Sequence, residues 1–298
     1  MIQAKTPDLI DNIVELIRRA ATVLPDDMKA ALVKARAEEE PGSAAEGALE
    51  TILQNVEMAG QHSTPICQDT GTPIFEIHYP VGVSTQALAG QIRQAAAIAT
   101  QRSYLRPNAV DSLTGKNSGN NTGEDFPTLH FHEWDQDSIH MELLLKGGGC
   151  ENVSTQYKLP DGRLKAGRDL EGVRRVVLDA VHQAQGKGCA PGVLGVAIGG
   201  DRGSSYIKAK QQLLRKLDES NPNEELAALE ERLYQEANQL GIGPMGFGGK
   251  TTVLGVKIGT QHRLPACYYV SVAYMCWANR RVAMDVTFDG DKVEVTYA

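Results

Sequence analysis

Apolar residues recur at helical spacing through the opening of the chain: Leu9, Ile10, Ile13, Leu16 and Ile17, then Met28, Ala31, Leu32 and Ala35, then Leu49, Ile52, Leu53 and Val56. Pro25 and the Pro41-Gly42-Ser43 break divide this stretch into three predicted helices. The period then changes. An extended run over residues 74–79 predicts a strand, and an alanine-rich helix is predicted over 84–102, capped by Ser84 or Thr85 and stopped before Pro107. Residues 126–134 and 138–146 read as two strands paired in a hairpin across Asp135-Gln136-Asp137. An amphipathic helix with Gly186 as its C-cap is predicted over 169–185, and a short apolar strand over 193–198. Helices follow at about 206–217 and from Asn221-Pro222 through Leu240, then strands at 253–258, 268–275, 282–288 and 293–297.

This alternation predicts a mixed α/β fold of the α+β kind, with a helical N-terminus and antiparallel or mixed sheets. A chain of 298 residues can form one large domain or two ordinary ones. It is read as a single domain over 1–298, with a division into two lobes near 159–167, where Pro160-Asp161-Gly162 marks a turn. No apolar run approaches membrane-spanning length, and the polar start lacks the features of a secretory signal, so a cytoplasmic protein is expected. A net charge of -7 argues against nucleic acid or an anionic membrane as partner, because both demand clustered Lys and Arg. A small molecule is the expected ligand.

The five cysteines, Cys67, Cys150, Cys189, Cys267 and Cys276, are an odd number and include no C-x-x-C pair. Reduced thiols are therefore expected, and any shared metal site must be assembled from distant loops. Cys67-Gln68-Asp69-Thr70-Gly71 places a soft ligand, an amide, a carboxylate and a turn glycine between a helix and a strand, where reactive groups are commonly displayed. The plainer alternative makes Cys67 a small buried residue and Asp69 a turn cap.

Several polar and glycine-rich segments carry similar pairs of readings. The Asn- and Gly-rich stretch 111–125 is either a solvated linker or a cradle for an oxyanion. Gly199-Gly200-Asp201 follows a strand and opens a helix, an arrangement suited to an anion. In 241–252 the glycine spacing superficially fits a dinucleotide loop, but a helix precedes it and a strand follows, so nucleotide readings are rejected. His130 and His132 share one strand face, either as a metal pair or as ordinary strand histidines.

Five motifs together carry a resemblance: Cys-Gln-Asp-Thr-Gly at 67–71, Gly-Gly-Gly-Cys at 147–150, Gly-x-Gly-Cys-Ala-Pro at 186–191, Gly-Ile-Gly-Pro-Met-Gly-Phe-Gly-Gly-Lys-Thr-Thr at 241–252 and Cys-Trp-Ala-Asn-Arg-Arg at 276–281. From about residue 8 to residue 290 the chain resembles the class I iron-sulfur fumarases and L-tartrate dehydratases. It looks like the N-terminal domain of the one-chain enzymes or the alpha subunit of the two-chain ones. The resemblance implies a [4Fe-4S] cluster held by Cys67, Cys189 and Cys276 in loops between two lobes, with Cys150 and Cys267 outside the ligand set. It implies a small dicarboxylic acid substrate contacted by Gln68, Asp69 and Arg106, with Asp69 catalytic, and a beta subunit as a separate chain in a heterotetramer or dimer of alpha-beta pairs.

The expected reaction is reversible hydration of fumarate to malate; the alternatives are conversion of L(+)-tartrate to oxaloacetate and an iron-sulfur redox sensor without hydratase activity. Three thiolates would leave one iron open to act as a Lewis acid. One departure stands out: where the family commonly carries a His, twelve residues before the last cluster cysteine, this chain has Leu264, and its nearest imidazole is His262.

Overall fold

The computed structural model of the protein describes residues 6–289 and 292–298. The elements begin with helices α1 (Ile10–Thr22), α2 (Asp26–Glu38) and α3 (Ala44–His62), strand β1 (Thr72–Pro80), helix α4 (Thr85–Gln101) and strands β2 (Thr128–Trp134) and β3 (Ser138–Lys146). A short helix α5 (Gly148–Val153), strand β4 (Thr155–Lys158), helix α6 (Leu170–Ala184) and strand β5 (Gly192–Ile198) follow. Helices α7 (Arg202–Gln212) and α8 (Glu224–Asn238) then lead to β6 (Val253–Thr260), β7 (Tyr269–Met275), β8 (Arg281–Asp289) and β9 (Lys292–Tyr297). This is the α+β fold that the periodicity predicts. Among the described residues no helix is long and apolar enough to cross a membrane.

The chain divides into two compact units: Met1–Pro25, Asn55–Lys146 and Arg280–Ala298 form the first, Asp26–Gln54 and Gly147–Asn279 the second. The predicted turn at 159–167 lies inside the second.

The first unit is built on a five-stranded sheet of order β2-β1-β3-β8-β9. Strand alternation fixes which side of it is dry. Phe75 and Ile77 of β1, Ile139, Met141, Leu143 and Leu145 of β3, and Met284 and Val286 of β8 are buried with Ile13, Leu16 and Ile17 of α1 and Leu88, Ile92, Ala95 and Ala96 of α4. The Ser84 hydroxyl caps α4 by accepting from the Ala87 N–H at 3.2 Å.

The predicted β2–β3 hairpin does not form. β1 lies between the two strands, parallel to β2 and antiparallel to β3. The three-residue link therefore spans two strand spacings, about 10 Å, and the Trp134 indole N–H donates to the Ser138 carbonyl at 2.8 Å across it. In its central place β1 is buried over a longer run than β2, whose positions are mostly half-buried.

The second unit holds a four-stranded sheet of order β4-β7-β5-β6, with β5 parallel to β6 and antiparallel to β7. Every residue of β5 is buried, as suits a strand covered on both faces. Gly195 is required there, because a Cβ would meet the Ala209 carbonyl of α7 at 2.2 Å. One local expectation changes: helix α6 is capped at its C-terminus by Gln185 (φ 48°) in place of Gly186. The Gly147-Gly148-Gly149 stretch opens the short helix α5.

Candidate active site

In the first unit the chain leaving α3 is pinned before it reaches the Cys67–Gly71 turn. The Ile66 N–H donates to the Ala21 carbonyl at 2.9 Å, and the Asn55 amide donates to the Ile66 carbonyl at 2.8 Å. Cys67 follows, half-buried. Asp69 Oδ1 accepts from the Gly71 N–H at 3.0 Å, so this carboxylate also closes the turn, as an Asx residue does. Gly71 has φ 80°, and a Cβ on it would stand 2.8 Å from the Lys146 backbone, so only glycine fits.

Two arginines bracket the turn. Arg106 Nη1 lies 3.4 Å from the Gln68 carbonyl, and Arg280 Nη1 donates to the Asp69 carbonyl at 2.7 Å. Arg106 is itself held through its backbone: its N–H donates to Thr70 Oγ1 at 3.0 Å, and the Asn108 side chain donates to the same hydroxyl at 3.0 Å. Asn121, 2% exposed, accepts from the N–H groups of Asn108 and Ala109 and donates to the Arg106 carbonyl at 2.6 Å. The polar stretch 111–125 is thus tied to the Arg106–Ala109 segment, by buried Asn121 and by the Asn117 side chain, which donates to the Pro107 carbonyl at 2.7 Å.

In the second unit, Cys150, Cys189 and Cys276 share a neighbourhood. Cys189 is exposed and left-handed (φ 56°), and its carbonyl accepts from the Trp277 N–H at 3.4 Å. Cys276 is buried at the end of β7, and its N–H donates to the Cys150 sulfur at 3.2 Å. The Tyr274 hydroxyl is pushed far above its ordinary value by burial first and then by the three thiols. Cys67 belongs to the first unit. The donor chemistry fits an iron-sulfur cluster, whose usual ligands are thiolates. Among the described residues, however, no group of three or more His, Cys, Asp and Glu side chains is already gathered around a metal position.

Other segments meet needs inside the fold. The Gly199 N–H donates to the Tyr269 carbonyl, and the amides that open α7 have their anion in the Asp201 carboxylate, which accepts from the N–H groups of Gly203 and Ser204 at 2.7 and 3.0 Å. The glycine loop 241–252 presents the Lys250 and Thr251 N–H groups to buried Glu39 at 2.9 and 2.8 Å. His130 and His132 do share a face, and between them sits Glu76, 4% exposed, with contacts of 2.9 and 2.7 Å. His262 and Leu264 lie on an exposed loop, and the His262 carbonyl accepts from the Gly200 N–H.

A family profile described as fumarate hydratase (Fumerase) matches residues 10–285. The chain belongs to the fumarate hydratase family. A Geobacillus stearothermophilus chain assigned as a class I fumarate hydratase is 50% identical over 281 residues, covering 93% of this chain and 55% of that one. The chain therefore spans about half the length of that relative. A Methanocaldococcus jannaschii chain assigned as an L(+)-tartrate dehydratase subunit alpha is 35% identical, covering 94% of this chain and 98% of the relative. The L(+)-tartrate dehydratase subunit alpha of Escherichia coli strain K12 is 31% identical, covering 96% of this chain and 93% of that subunit.

Within this family member the residues that sequence reasoning missed are Thr70, Asn108 and Arg280, which hold the turn, and Asn121, which holds the Arg106 segment, none of them reactive side chains. The signal available for them was adjacency: Thr70 sits inside the first motif and Arg280 inside the last.

Proposed function

We propose that this chain is the alpha portion of a hydro-lyase that reversibly hydrates fumarate to malate. The observation that carries this reading is the Gln68–Asp69 turn held between Arg106 and Arg280, with hydrogen bonds of 3.4 and 2.7 Å to its carbonyls. An amide, a carboxylate and guanidinium groups on one turn suit a dicarboxylic acid, because arginine pairs carboxylates in a forked geometry and a carboxylate can move a proton. Gln68 and Arg106 orient one carboxylate of the substrate, and Asp69 moves a proton at its carboxylate oxygen.

Cys67, Cys189 and Cys276 would hold a [4Fe-4S] cluster. When bound, such a cluster supplies Lewis acidity toward the hydroxyl group at the iron that no cysteine ligates. Cys189, exposed on its loop, is the thiol best placed to meet a cofactor entering from solvent. A beta subunit on a separate chain completes the enzyme, in a heterotetramer or dimer of alpha-beta pairs, in the cytoplasm.

A second reading, an L(+)-tartrate dehydratase alpha subunit giving oxaloacetate, is favoured by coverage: the relatives matched over nearly their full length are chains of that name. The test is turnover of malate, fumarate and L(+)-tartrate by the complex reconstituted anaerobically with its partner chain. Higher kcat/KM for fumarate and malate is expected; preference for tartrate overturns the first reading in favour of the second.

A further inference from the structure

We propose that Arg280 is a positioning residue of the candidate active site, retained for what it does to the Gln68–Asp69 turn and not for the stability of the fold; its functional half rests on the hydro-lyase reading above. Arg280 stands one residue before β8. Its carbonyl accepts from the Leu145 N–H at 3.0 Å, which continues the β3–β8 ladder by a step and fixes where its side chain departs. That side chain is 1% exposed. Nη1 donates to the Asp69 carbonyl at 2.7 Å, while Nε is buried with no hydrogen-bond partner.

The energetics of this arrangement are unfavourable on their own terms. A guanidinium cannot shed its proton, so burial keeps a full cation in a low-dielectric surrounding. One hydrogen bond to a neutral carbonyl and an orphaned N–H compensate it poorly, and an apolar side chain of similar volume is often as stable in such a place or more so. A buried group left unsatisfied in this way calls for a reason outside stability.

Two further cations are buried in the same unit, Lys146 at 1% and Arg281 at 8% exposure, and the Gly71 end of the turn lies against the Lys146 backbone. The bond from Arg280 sets the Asp69 peptide plane and with it the direction of the Asp69 side chain. A small misplacement of such a group is costly for catalysis.

The test compares wild type, Arg280→Met and Arg280→Lys in the anaerobically reconstituted complex by three measurements: amide hydrogen exchange over residues 66–71, thermal melting, and kcat with KM. Exchange over 66–71 is expected to rise at least about tenfold in Arg280→Met, with the melting temperature within about 3 °C of wild type. A fall in kcat of about 100-fold is expected, larger than any change in KM, with partial recovery in Arg280→Lys. Unchanged exchange in Arg280→Met overturns the proposal. A melting temperature lowered by more than about 6 °C, or failure to fold, makes Arg280 a structural residue and overturns it as well. If the wild-type complex turns over no dicarboxylate, the hydro-lyase reading fails separately, and the exchange and melting data still decide whether Arg280 anchors the turn.

Discussion

The Thr70 hydroxyl accepts the backbone N–H of Arg106 at 3.0 Å, joining two residues on opposite sides of α4 in the sequence. Thr70 is fully buried, and the same oxygen accepts from the Asn108 side chain. Thr70→Val preserves shape and removes the acceptor, leaving both donors without it. A destabilisation of about 1–3 kcal/mol is expected, measured by urea unfolding. Because Arg106 is held through this bond, KM for the dicarboxylate should rise as well; a variant with unchanged KM would separate Arg106 from substrate binding.

A second expectation concerns Glu230, a buried carboxylate in the second unit. It accepts from the Ile258 N–H at 2.6 Å, from Asn221 at 2.8 Å and from Arg215 at 3.1 Å. Glu230→Ala leaves the Ile258 N–H and the Asn221 amide without this acceptor, while Arg215 keeps its ion pair with Glu219 at 2.8 Å, so a loss of about 1–3 kcal/mol is expected. Denaturant unfolding checks this, and a loss below about 1 kcal/mol, the range of surface pairs, would mean that solvent reaches the network.

Acid should weaken the second unit through the α6–α8 ion-pair network. Arg174 donates to Glu171 and to Glu236, each at 2.6 Å. Its hydrogen bond brings the Glu171 carboxyl down to about 2, while burial pushes Glu236 up and the Arg174 and Arg232 bonds outweigh that and lower it. A carboxyl whose pKa is depressed on folding adds stability above its unfolded value, 4.5 here, and loses it as pH falls toward about 2. The melting temperature should therefore decline across that window. Arg174→Met should flatten the decline, as seen in melting curves recorded from pH about 6 to about 2.

Iron and acid-labile sulfide after anaerobic purification provide the cofactor test. Cys67→Ser, Cys189→Ser and Cys276→Ser are each expected to lose the cluster. Cys150→Ser should keep it, because a serine hydroxyl can still accept the Cys276 N–H that the Cys150 sulfur now accepts at 3.2 Å. Loss of iron in Cys150→Ser would place Cys150 among the ligands, and a wild-type protein that never holds iron would remove the cluster from the mechanism.

Much of the fold was legible along the chain. The apolar stripes of Ile13, Leu16 and Ile17 and of Leu88, Ile92 and Ala95 are set by the 3.6-residue turn of a helix, and the alternation of Phe75 and Ile77 with Glu76 by the two-residue repeat of a strand. Each signal depends only on covalent neighbours, so sequence alone determined where the helices and most strands lie, and its motifs pointed to the family. Pairing was different. The short link between Trp134 and Ser138 looked like a hairpin turn because nothing local records that β1 is inserted between β2 and β3.

The same division runs through the candidate site. Cys67, Gln68 and Asp69 stood out as candidate chemistry in a row of residues, and Arg106 entered only through the family resemblance. What holds them did not stand out: Arg280 reaches the Asp69 carbonyl across 211 positions. The second unit has its own such pairing, with Glu39 accepting the amides of Lys250 and Thr251 across 211 and 212. Sequence determined which side chains were available and which backbone conformation each segment prefers. Only the tertiary structure decided which distant donor meets which acceptor, because that choice is made by packing of whole elements, where burying a polar group forces it to find a partner wherever in the chain one stands.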